Sequence, residues 1–147
     1  MKTEDLSRHP GHLIRRALQV LNLVWSEEVS TTITSPQFAA LNALGGEPDI
    51  DQRTLGERIS LDRSTMADVV ARLTARGLIA WGRDANDGRR KTIRLTARGE
   101  RTLEELIPRT HRMTERLVGA LDCDQREELL RLLKLVVAAN ERNGGET

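Results

Sequence analysis

Aromatic side chains are almost absent from this chain of 147 residues, which has two tryptophans, one phenylalanine and no tyrosine. Proteins that grip single-stranded nucleic acid stack bases on rings, so the shortage counts against that activity. One cysteine, Cys123, excludes an internal disulfide and fits a reducing cytoplasm. It stands between Asp122 and Asp124, whose charges disfavour the thiolate that a redox sensor needs. Histidine is scarce too. With three histidines and no Cys-x-x-Cys pair, neither a metal site nor a cofactor is expected. No apolar run approaches the ~20 residues of a membrane span, and Met1-Lys2-Thr3-Glu4-Asp5 lacks the apolar stretch of a secretory signal. Gly-x-Ser-x-Gly, a glycine-rich phosphate loop and His-Glu-x-x-His are all missing, so no enzyme is expected. The neighbouring pairs Glu27-Glu28, Glu104-Glu105 and Glu127-Glu128 read as solvated helix faces.

What is present is charge, unevenly placed. The net charge is +1, yet between Arg58 and Arg101 eleven Arg or Lys face five Asp or Glu. The ends of the chain are therefore acidic and its centre basic, the footprint of a nucleic-acid reader or of a solvated face. The length suits one compact unit with a real core.

Helical spacing dominates. Leu13, Ile14, Ala17, Leu18, Leu21, Val24 and Trp25 form a buried stripe on a helix from Pro10 to Val29. Ser35 as N-cap and Pro36 open a second helix that ends at Gly45-Gly46. Asp51 caps a third, Gln52 to Ile59. Ser60 and Leu61 form a turn, and Asp62 caps a fourth helix running to about Arg76, with Leu61 and Met66 placed as a hydrophobic staple. Met66, Val69, Val70 and Leu73 face inward, and Gly77 stops the helix.

Leu78 to Trp81 and Thr92 to Leu95 flank Asn86, Asp87 and Gly88, which predicts a β-hairpin. A fifth helix from Ala97 is interrupted by Pro108, and a last helix runs from about Asp124 to Arg142 and buries Leu129, Leu130, Leu132, Leu133, Val136 and Val137, followed by a disordered tail over 143–147. Helix–turn–helix followed by a basic hairpin spells a mainly α, winged-helix fold, a class that reads duplex DNA or mediates protein contacts. Seven Leu or Val fill the nine positions from Leu129 to Val137, more than one chain can bury, so a second copy is expected to cover them. Residues 35–97 form the winged helix, and residues 1–34 with 98–147 form a helical dimerisation region.

These residues resemble the MarR (multiple antibiotic resistance regulator) family, from Leu13 to Val137. The resemblance rests on Leu61-Asp62-Arg63-Ser64-Thr65-Met66, Leu73-Thr74-Ala75-Arg76-Gly77-Leu78-Ile79, Arg83-Asp84, Asp87-Gly88-Arg89-Arg90 and Leu95-Thr96, in that order. It implies a cytoplasmic homodimeric repressor that leaves DNA when a small molecule binds. It also implies that Asp87 holds Arg89, which enters the minor groove.

The residues themselves place Arg63, Ser64, Thr65, Asp68 and Arg72 on the outward face of the fourth helix, toward major-groove base edges. Asp68 either orients an arginine or accepts from cytosine. Arg90 and Lys91 are expected on phosphate, as are Gln52, Arg53 and Thr54 at the start of the third helix. Two such modules on a two-fold axis need a palindromic operator. Family effectors are often aromatic acids or phenols. His9, His12, Arg15 and Arg16 suit a carboxylate or ring substituent, and Trp25 and Phe38 either line such a pocket or belong to the core.

Overall fold

The computed structural model describes residues 3–141. After a single 3-10 turn, Leu6–Arg8, come α1 (Pro10–Glu28), α2 (Ser35–Gly46), α3 (Gln52–Arg58) and α4 (Arg63–Ala75). The antiparallel strands β1 (Ile79–Arg83) and β2 (Lys91–Leu95) follow, then α5 (Ala97–Val118) and α6 (Cys123–Glu141). This is the mainly α fold with a small hairpin that the patterning predicts. The expected end of the last helix at Arg142 and the tail over 143–147 lie outside the described residues. No helix among the described residues is long and apolar enough to cross a membrane.

Helix starts are fixed by local side chains. Asp51 accepts the Thr54 N–H at 2.7 Å and Asp62 accepts the Thr65 N–H at 3.1 Å, each satisfying a donor the helix leaves orphaned. The cap of α2 is Thr34, not Ser35. Its hydroxyl takes the Gln37 N–H while the Gln37 amide oxygen takes the Thr34 N–H, a reciprocal capping box that Ser35 cannot form from one position later. Gly77 adopts φ +69°, the left-handed conformation that closes α4 and turns the chain into the hairpin.

The chain divides into two compact units between Met113 and Thr114. The first holds the core, built from Leu41, Leu44, Leu55, Met66, Val69, Val70, Leu73 and Ile93. Each such side chain contributes about 1.5–3 kcal/mol by leaving water. Ile50 extends the hairpin by bridging to Ile93, whose N–H donates to the Ile50 carbonyl at 2.8 Å. The inward face expected of α4 is buried in full.

Three sequence expectations need correction. In α1 only Val24 and Trp25 are buried; Leu13, Ile14 and Leu18 are about half exposed within one chain. In α6 no residue is buried, and Leu130, Leu132, Leu133, Val136 and Val137 all lie open. Periodicity reports that a face is apolar, not that its own chain covers it. Lastly, α5 runs unbroken through Pro108. Both Pro108 and Glu104 are exposed, so water can satisfy the carbonyl that the proline leaves without a donor.

Candidate nucleic-acid interface

The outward face of α4 carries Arg63, Ser64, Thr65, Asp68 and Arg72, all exposed. Asp62 organises its first turn. The Ser64 hydroxyl donates to it at 2.8 Å and the Thr65 hydroxyl donates to its other oxygen. With their protons committed, both hydroxyls present lone pairs outward, ready to accept from a base amino group. The Thr65 hydroxyl and N–H and the Ser64 hydroxyl hold the Asp62 carboxyl down at about 2. Asp68 takes the Arg72 Nε–H at 2.9 Å and so orients that arginine, the first of its two expected roles.

At the start of α3 the Asp51 carboxylate occupies the helix N-terminus, and Arg53 pairs with Glu57 at 3.0 Å. A groove of about 590 Å³ between α3 and α4 brings Gln52, Arg53 and Arg63 to one wall. Three expected contacts on two helices thus share one surface.

The wing between β1 and β2 is tied at its tip. The Asp84 N–H donates to the Arg90 carbonyl at 2.9 Å, and the Arg90 N–H to the Asp87 carbonyl at 3.0 Å. The Arg83 guanidinium donates to the Gly88 carbonyl at 2.7 Å. The Asp87 carboxylate accepts the Arg89 backbone N–H, so it fixes the peptide of Arg89 and leaves the guanidinium to point elsewhere. Arg89 and Lys91 are exposed. Arg90, expected on phosphate, meets two carboxylates of its own chain: Asp51 by a hydrogen bond and Asp84 at 3.8 Å.

Composition did not mark Arg83, Asp51 or Trp81 as parts of this surface. Arg83 carries a sequence signal in the Arg83-Asp84 motif, and the hairpin register pairs it with Lys91 and Trp81 with Ile93. Trp81 is 44% exposed and shares a shallow groove with Arg83 and Lys91.

The residues expected to hold an effector do not converge within one chain. His9 caps α1, its Nδ1 accepting the His12 N–H at 3.3 Å, and His12 Nδ1 lies 2.9 Å from the Arg15 guanidinium. Arg16 is exposed on the next position. Trp25 is thirteen residues beyond His12, about 20 Å along the helix axis. Its indole N–H donates to the Ile33 carbonyl at 2.7 Å, and its ring meets Phe38 at 5.7 Å between centroids. That pair belongs to the core. Among the described residues no group of three or more His, Cys, Asp or Glu is placed to hold a metal ion. Cys123 is exposed, at the start of α6.

Known proteins carry this arrangement. A family model described as MarR family matches residues 31–90. The transcriptional repressor NicR of Pseudomonas putida is 30% identical over 95% of this chain and 89% of its own. The PcaV transcriptional regulator from Streptomyces coelicolor, solved in complex with its natural ligand, superposes with a TM-score of 0.90 at 47% identity, covering 95% of this chain and 99% of that one. Bordetella bronchiseptica BpsR, whose DNA binding is regulated by 6-hydroxynicotinic acid, gives 0.84 at 28% identity, over 92% and 98%. Helix–turn–helix, basic wing and whole-chain similarity agree: this chain is a transcriptional regulator of the MarR family.

Proposed function

We propose that the protein is a homodimeric repressor, without enzymatic activity, that binds a palindromic operator and leaves it when a small aromatic carboxylate binds. The observation that carries this reading is the fully exposed polar face of α4 beside a wing whose Arg89 peptide is pinned and whose guanidinium is not. On it, Arg63, Ser64, Thr65 and Arg72 read major-groove edges, and Arg89 enters the minor groove, where a narrow, electronegative channel favours a guanidinium. Lys91, Gln52, Arg53 and Thr54 meet phosphate. The exposed apolar stretches of α1 and α6 supply the surface for a second copy. The regulation of BpsR by an aromatic acid supports the effector class, with Arg15 and Arg16 as carboxylate partners and His9 and His12 beside them. Such a protein works in the cytoplasm, where its promoter is.

The test is a fluorescence-anisotropy titration against duplex DNA from the protein's own upstream region, at two salt concentrations. Tight, sequence-selective binding that weakens steeply with salt is expected. If duplexes selected from a random pool bind no better than scrambled DNA, the reading fails and the winged helix serves protein contacts.

A further inference from the structure

The wing and the helix–turn–helix meet through one carboxylate. Asp51 uses its Oδ1 to cap α3 and its Oδ2 to accept the Arg90 guanidinium, across 39 residues of sequence. Arg90 also faces Asp84 at 3.8 Å, on the wing itself. Asp51 and Asp84 are each about three-quarters buried, and the Arg90 side chain is about half buried. Three charges therefore sit in one partly desolvated cluster, joined to helix and hairpin backbone at both ends.

We propose that Arg90 is a positioning residue, a latch that clamps the wing onto the N-terminus of α3 and so sets where Arg89 stands relative to α3 and α4. The proposal rests on the DNA-reading function above and assigns Arg90 a different task from its neighbours Arg89 and Lys91. Two physical consequences favour it. The Asp51 carboxylate lies where α3 is expected to approach phosphate, and Arg90 cancels a charge that would repel DNA there. Arg89 is also tied to Arg90 through the wing tip: the Arg90 N–H closes the tip turn on the Asp87 carbonyl, and Asp87 holds the Arg89 N–H. Fixing Arg90 to α3 thereby fixes the peptide that carries Arg89. Held in advance, that contact loses less freedom on binding.

A latch and a phosphate contact predict opposite results. The experiment uses the full chain, the best duplex that the wild type selects from a random pool, and a scrambled duplex of equal length. The variants are Arg90→Gln, Asp51→Asn and both together; asparagine is as good a helix cap as aspartate, so α3 keeps its start. Under the latch, each single variant weakens binding to the selected duplex by about fivefold, the range of a partly exposed ion pair. The double variant is no weaker than either single one, and the salt dependence of binding is unchanged. A wild-type helical circular-dichroism spectrum from all three at the temperature of the titration ties the loss to positioning. Arg90→Gln that weakens selected and scrambled duplexes alike and lowers the salt slope by about one, beside an Asp51→Asn that binds more tightly, makes Arg90 a phosphate contact and overturns the latch alone. So does additive loss in the double variant. A wild type that selects no duplex overturns the DNA-reading function and the latch with it.

Discussion

The Asp87 carboxylate accepts the backbone N–H of Arg89 at 3.1 Å, while the Arg83 guanidinium holds the Gly88 carbonyl between them at 2.7 Å. The wing tip is thus shaped by peptide contacts, and the Arg89 side chain takes no part in shaping it. Removing that side chain should therefore leave the tip intact. Arg89→Ala is expected to weaken operator binding by about 1–3 kcal/mol per half-site, enough to abolish specific binding, with the melting temperature unchanged. Anisotropy titration at fixed salt beside a circular-dichroism melt checks both halves; unchanged affinity would remove Arg89 from the interface.

Alanine is usually the better helix former, yet Gly99 in α5 is expected to resist it. A Cβ there would sit 2.0 Å from the backbone carbonyl oxygen of Leu78, and neither backbone can yield cheaply. Gly99→Ala should cost about 1–3 kcal/mol or more. At Gly46 a Cβ meets nothing within 4 Å, so Gly46→Ala should be neutral or stabilising by up to about 1 kcal/mol. Urea denaturation of the pair reads the contrast directly.

Acid should loosen the helix–turn–helix. The Thr54 N–H, with Arg90 and the Thr54 hydroxyl adding to it against the cost of burial, holds the Asp51 carboxyl down at about 2, as Thr65 and Ser64 do for Asp62. An unfolded aspartate titrates near ~3.9. Both groups bind their proton more weakly when folded, so their contribution is complete above about pH 4 and is lost as pH falls toward about 2. Denaturation midpoints measured across that range should fall, and Asp62→Asn, which keeps the cap, should flatten the fall. A slope unaltered by the substitution would refute the assignment to Asp62.

The open leucines of α6 carry the expectation of a second copy. Wild-type protein at micromolar concentration should sediment as a dimer, and Leu133→Glu should shift it toward monomer, because a carboxylate cannot enter a dry interface unpaired. A wild type that sediments as a monomer would count against the homodimer.

Effector release should depend on the start of α1 and not on the core aromatic pair. Arg15→Ala or Arg16→Ala is expected to raise the concentration of a benzoate or hydroxynicotinate needed to dissociate the DNA complex by at least about tenfold. Affinity for DNA in the absence of the acid should not change. Release at unaltered concentrations by every acid tried would move the pocket elsewhere.

What could be read from the sequence was whatever neighbours in the chain decide. Asp51, Asp62 and Gly77 punctuate helices through atoms two or three residues away, and the Met66, Val69, Val70, Leu73 stripe needs only the helix period. Thr34 was equally local. Its Thr-x-x-Gln spacing to Gln37 is a capping-box signature, and the neighbouring Ser35-Pro36 is a competing helix-start signal one position later. The Arg90–Asp51 contact had no such signal, because it depends on where a hairpin folds back over a helix 39 residues away. Nor could apolar spacing in α6 reveal what covers that face, since coverage belongs to the assembly and not to the strip itself.

The two tryptophans occupy opposite environments: Trp25 is sealed against Phe38 with its N–H bonded to Ile33, and Trp81 stands on the wing beside Arg83 and Lys91. With no tyrosine in the chain, all its near-ultraviolet emission of note comes from these two rings. Their light is therefore sorted by place. The blue-shifted component reports the integrity of the core and the red-shifted, quencher-accessible one reports the wing. One unlabelled sample can follow folding and wing occupancy as separate colours.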